Sequence, residues 1–174
     1  IYFVIQSAFK YCMKRIAHHK RIIRNWCIFF IISLVLSGIT AFAVETGLSW
    51  IITWWPEQSI LHEWLYKSYE AVRATNINYP FIAYGYDWLA FGHIVIAIFF
   101  IGVLKDPVRN VWVIKTGCIA CVLVIPLALI AGHIRQIPIF WRLIDCSFGV
   151  IGIIPLTIVY RNILLLEKIQ HNNK

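Results

Sequence analysis

The chain has 174 residues, of which 60% are apolar, 16% aromatic and only 14% charged, with a formal net charge of +8. A soluble domain of this length is far less hydrophobic, so composition alone points to a membrane. The basic residues lie between apolar segments, where they act as topology signals, which argues against nucleic acid as a partner.

Met13 is the single methionine and is followed at once by Lys14 and Arg15. On that ground residues 1–12 are expected to be translated upstream sequence, with Met13 the natural start. A bilayer core about 30 Å thick takes roughly 20 helical residues, so apolar runs of that length are the primary signal. The first runs from Trp26 to Val44 and is closed by Glu45. It lacks the short core and small-residue cleavage site of a removable signal peptide, so it is expected to remain in the mature protein.

Between Glu45 and Pro80 no span is expected. Ser59 after Pro56 is placed to cap a helix over about residues 59–75, with Leu61, Trp64, Leu65, Ser68, Tyr69 and Val72 on one face and His62, Tyr66, Glu70 and Arg73 on the other. With Trp50, Trp54 and Trp55 ahead of it, this reads as an amphipathic helix in the membrane interface. The second span runs from Phe81 to Leu104, with His93 as its only strongly polar member, and the third from Val111 to Gly132. Lys105–Asn110 joins them so tightly that they must be antiparallel neighbours, with Pro107 able to open the incoming helix. His133–Pro138 does the same before the fourth span, about residues 139–160. Pro126 and Pro155 are compatible with spans, because neighbours can satisfy the carbonyls they free.

Twelve of the sixteen Lys and Arg residues fall on the side of the termini and the Lys105–Asn110 turn, against Lys67, Arg73, Arg135 and Arg142 on the other. That asymmetry places both termini in the cytoplasm of a cell membrane, inner or plasma. The expected fold class is thus an all-α integral membrane protein: four transmembrane helices in an up-down bundle plus an outer interfacial amphipathic helix, one membrane domain over residues 1–174. No internal repeat supports a transporter of duplicated halves.

Cys12, Cys27, Cys118, Cys121 and Cys146 form no paired framework in a loop, so structural disulfides are not expected. Cys118 and Cys121 sit at i and i+3 of an apolar helix, where small residues serve a helix contact. There is no Walker loop, dinucleotide fingerprint, G-x-S-x-G or H-E-x-x-H, so an enzyme is not the leading expectation and no metal site is expected. Chemistry would have to come from intramembrane polar groups, which are expensive in hydrocarbon: His93 and Asp145, with Arg142 and His133 nearer the surface.

Arg15, His18, His19, Arg21 and Arg24-Asn25-Trp26, followed by Leu36-Ser37-Gly38, resemble the first span of membrane b-type cytochrome subunits. In that family an Arg-rich stretch and a His-Trp pair open the span, which ends near a Thr-Gly or Ser-Gly. The resemblance implies haem b, yet Asn25 stands where the ligating His would precede Trp26, so no membership follows. At 1.5 Å per residue His93 lies about 18 Å above the inner edge and His133 about 33 Å, too far apart in depth to ligate one iron. Asp145 comes at about 22 Å, a height at which it and His93 could meet. Arg142, three residues before Asp145, could instead neutralise that carboxylate within its own helix. Ala90, His93 and Ala97 make a face on which a neighbouring backbone can approach.

Two function classes follow. In the first, the protein is an accessory membrane protein that binds a small apolar or amphipathic ligand, or a membrane protein partner, in an outward-facing polar site at His93, Arg142, Asp145 and His133, with membrane lipids around it and no cofactor. In the second, it is a membrane redox or proton-handling subunit using His93 with haem b or quinone.

Overall fold

Apolar runs without helix breakers have one way to satisfy their backbone in hydrocarbon, and that is helix. The computed structural model describes residues 2–171; Ile1 of the suspected upstream segment and Lys174, one of the twelve basic residues counted above, lie outside them. The helices are α1 (Tyr2–Phe42), α2 (Val44–Trp54), α3 (Ile60–Asn78), α4 (Pro80–Lys105), α5 (Val111–Ile134) and α6 (Ile139–His171), with no strand among the described residues. Four of them, α1, α4, α5 and α6, are long and apolar enough to cross a membrane. Their outer faces stay exposed and apolar: Leu127 and Ile130 on α5 are each 63% exposed and Phe148 on α6 67%. Water would tolerate so much exposed apolar surface poorly, whereas lipid covers it at no cost.

The chain packs as two compact units. Unit 1 is Ile1–Ile31 with Ile98–Lys174, and unit 2 is Ile32–Ala97, so that α1 and α4 contribute residues to both.

In unit 1, α5 packs along α6. The contact is set by glycine: a Cβ on Gly149 would come within 2.3 Å of the Cys121 carbonyl oxygen, and one on Gly152 within 3.1 Å of the Cys121 sulfur. Cys121 therefore does serve a helix contact. Cys27, Cys118, Cys121 and Cys146 are free thiols. Ile23, Cys27, Val103, Ile114, Leu156, Val159, Ile163 and Leu166 are buried almost completely. The Phe30 and Phe100 rings meet at 4.8 Å between centroids. Ile163 and Leu166 lie beyond Tyr160, where the fourth span was expected to end, because α6 continues to His171.

The two turns of unit 1 are held by hydrogen bonds. After α4, Asn110 Nδ2 donates to the carbonyls of Gly102 (3.0 Å) and Asp106 (2.9 Å), which closes the helix end. Pro107 lies within this turn and does not open α5, which starts at Val111; the Asp106 carboxylate accepts the Arg109 N–H at 3.1 Å and makes Asp106–Asn110 a turn of its own. After α5, Ile137 N–H donates to Gly132 O and Gln136 N–H to His133 O, the paired bonds of a Schellman ending. Gln136 takes the left-handed position at φ 57°.

In unit 2, α1 ends at Phe42 and after Ala43 the chain resumes as α2 over Val44–Trp54, a helix that the sequence reading does not assign. α3 packs on α2. Ser59 does cap α3, its hydroxyl accepting the His62 N–H at 3.1 Å. Leu65, on the apolar face, is buried, while Tyr66, Glu70 and Arg73 on the opposite face are exposed. Where the end of α1 meets the middle of α4, a Cβ on Gly38 would lie 2.9 Å from the Ala90 carbonyl oxygen and 3.3 Å from His93 Cβ. The backbone that approaches the small-residue face of α4 is thus that of Gly38.

Candidate functional site

Polar side chains inside apolar packing need partners, and the partners found say what each residue is free to do. His93 is half-buried in unit 2, and its Nδ1–H donates to the Leu89 carbonyl one turn back at 2.7 Å. That bond fixes the ring and leaves Nε2 as its remaining polar atom. Ala90 and Ala97 on the same face are buried, so the packing beside His93 is backbone-close and offers little volume.

Asp145, Arg142 and His133 belong to unit 1. The Arg142 stem lies against Gly132, where an added Cβ would come within 2.6 Å of Arg142 Cδ, and Arg142 Nε is buried without a hydrogen-bond partner. Asp145 is half-buried and pairs with no described residue, so Arg142 does not neutralise it within the helix. His133 is exposed in the last turn of α5. Arg142 and His133 thus flank Gly132 at one end of the α5–α6 pair.

Open volume in unit 2 lies elsewhere. A cleft of about 250 Å³ is lined by Glu45, Thr46, Asn76, Tyr86 and Asp87 together with Phe42, Ala43, Val44 and Ala83. Glu45 accepts a short hydrogen bond from Asn76 Nδ2, which joins α2 to α3 and fixes that carboxylate. Asp87 is exposed and has no partner among the described residues. A second cleft, about 310 Å³, shares Phe42 and Asp87 and adds Tyr84, Trp88 and Phe91. Trp88 meets Tyr84 and Phe91 edge to face at 5.9 and 6.1 Å. An aromatic wall beside an unpaired carboxylate suits a cation that carries apolar groups.

His93, Asp145, Arg142 and His133 line neither cleft. Sequence reasoning singled them out by the expense of an ionisable group in hydrocarbon and passed over Asp87 and Tyr86 near the start of a span. Glu45, Asn76 and Asp87 come from three helices, and no spacing rule joins such positions. A further polar contact was missed in unit 1: Asn162 Nδ2 donates to Ile158 O at 2.8 Å, so its Oδ1 accepts from His19 Nδ1–H at 2.7 Å and joins α1 to α6.

No family model matches the chain, and comparison with curated proteins and with solved structures returns no match either.

Proposed function

We propose that this chain is a multi-pass accessory membrane protein that binds a small amphipathic ligand carrying positive charge, or a membrane partner presenting such a group. Its four spans run up and down with both termini in the cytoplasm of a cell membrane, and α3 lies in the outer interface. The observation that carries this reading is the pair of clefts meeting at Asp87, one polar with a fixed Glu45, the other walled by Tyr84, Trp88 and Phe91. On this topology they open outward. His93, Asp145, Arg142 and His133 remain the polar groups of the spans and their outer ends and stand outside that site.

Two experiments test this. Reporter fusions at Asn110 and at the C-terminus should read cytoplasm and fusions within Glu57–Asn78 the outside; an inside signal from the latter overturns the orientation. Calorimetry of detergent-solubilised protein with tetrabutylammonium should show binding, weakened up to about fivefold by Asp87→Asn, the order expected for an exposed charge pair. Absence of binding, or equal binding by the variant, overturns the ligand class.

A second reading, a redox or proton-handling subunit with haem b or quinone at His93, has one observation in its favour. Metal-ligating histidines commonly donate their other ring N–H to a carbonyl, as His93 Nδ1 does to Leu89. A Soret band in purified protein that is lost in His93→Ala would establish it in place of the first.

A further inference from the structure

The end of unit 1 near the α4–α5 turn holds a cleft of about 420 Å³, larger than either cleft of unit 2. Its charged lining is Lys20, Arg21 and Arg24 from α1 and Lys105 from the end of α4, with Ile23 and Val103 fully buried beneath them. No acidic residue lines it. The nearest in sequence is Asp106, whose carboxylate already accepts the Arg109 N–H. None of the four cations pairs with a described residue.

Arg24 stands four residues after Lys20 and three after Arg21 on one helix, spacings that turn like charges towards one another and are unfavourable unless an anion lies between them. Lys105 completes the ring from a different helix. Guanidinium groups bind phosphate oxygens in a planar fork and ammonium groups as point charges, and two of each face this space. The apolar floor of Ile23 and Val103 suits a group whose other end is hydrocarbon. Basic pockets at the cytoplasmic ends of spans are suited to anionic headgroups, and the proposed topology puts this one there.

We propose that the cleft formed by Lys20, Arg21, Arg24 and Lys105 is a binding site for a phosphate group, supplied by an anionic phospholipid headgroup or by a soluble phosphoester. The site is separate from the clefts at Asp87, and its proof or failure leaves the cation reading untouched. The step is binding alone, with no bond made or broken.

The test is native mass spectrometry of the full chain, titrated in detergent with phosphatidylglycerol and, separately, phosphatidylcholine, and calorimetry with glycerol phosphate. One basic residue beside an anionic surface is worth about fivefold in binding, so the preference for phosphatidylglycerol should be at least about tenfold. It should vanish in the variant Lys20→Gln, Arg21→Gln, Arg24→Gln, Lys105→Gln and persist in a control with Lys10, Lys14, Arg15 and Lys168 changed to Gln. These eight side chains are all exposed, and equal thermal unfolding of the two variants excludes a folding defect as the cause. Phosphatidylglycerol preference identifies the lipid as the source of the phosphate, whereas glycerol phosphate binding without lipid preference identifies a soluble one. Neither signal in the wild type, or either signal surviving in the cleft variant, overturns the proposal.

Discussion

The two units are held together by different means. Unit 1 buries large aliphatic side chains, Ile114, Leu156, Ile163 and Leu166 among them, and threads glycines through the α5–α6 contact. In unit 2 the buried apolar residues are Leu65, Ala90 and Ala97, and its joints are the close approach at Gly38 and the Glu45–Asn76 hydrogen bond. Few buried contacts mean low local stability and room for clefts, which is where binding surfaces and movable elements are found. A rigid unit 1 and an adaptable unit 2 is the division of labour this contrast implies, and substitutions in both units probe it.

The largest effect is expected at Leu166→Ala. Among lipid tails a leucine gains little by burial, since the surrounding lipid is as apolar as the core. Leu166 lies past the expected end of the span and is fully buried, so there the hydrophobic effect and the cavity both count. The loss should be about 2–5 kcal/mol, read from thermal unfolding of purified protein. A loss no larger than that of Leu65→Ala in unit 2 would break the contrast. Gly149→Ala comes next, at about 1–3 kcal/mol, because its Cβ would strike the Cys121 backbone, which has no rotamer to yield. Gly47→Ala is the control: nothing lies within 4 Å of the added methyl, and the variant should unfold no earlier than wild type.

How far this contrast was legible in the sequence differs along the chain. Spans and turns were plain because an apolar run of some 20 residues has few alternatives. The Ser59 cap and the buried face of α3 followed from helical spacing, and the packing on Ala90 and Ala97 from their size. α2 was missed since Thr46, Gly47 and Ser49 look like loop; the helical spacing of Val44, Leu48, Ile51 and Ile52 was the signal that could have revealed it. The stripe of Lys20, Arg21 and Arg24 was hidden by a rule that starts a helix where hydrocarbon starts, although α1 runs well ahead of Trp26. The clefts at Asp87 gave no warning, because they depend on how α1, α2, α3 and α4 meet.

A smaller effect is expected at Ser59→Ala, which removes the acceptor of the His62 N–H and should cost about 1 kcal/mol. In an adaptable unit 2 this loss should be local. Hydrogen exchange in the first turn of α3 should quicken, while amides of α5 and α6 keep their protection. Faster exchange in α6 as well would mean that the units do not differ in the way proposed.

The smallest effect has the opposite sign and comes from the turn between α5 and α6. Gln136 holds φ at 57° so that its own N–H and that of Ile137 reach back to His133 and Gly132. An L side chain in that region crowds the following carbonyl and costs roughly 1–2 kcal/mol, which glycine does not incur. Glycine gives back part of the gain, because its unfolded chain is freer by roughly 0.5–1 kcal/mol. The balance for Gln136→Gly is a stabilisation of about 0.5–1 kcal/mol, the range known for substitutions that suit a backbone position. Gln136→Val is the counter-test, since a branched Cβ in the left-handed region is worse than glutamine and should lower the unfolding temperature. Opposite shifts for the two variants would locate a constrained joint at Gln136. Equal shifts, or none, would mean that the turn adapts around its side chain and that unit 1 owes its rigidity to Gly149 and the aliphatic core alone.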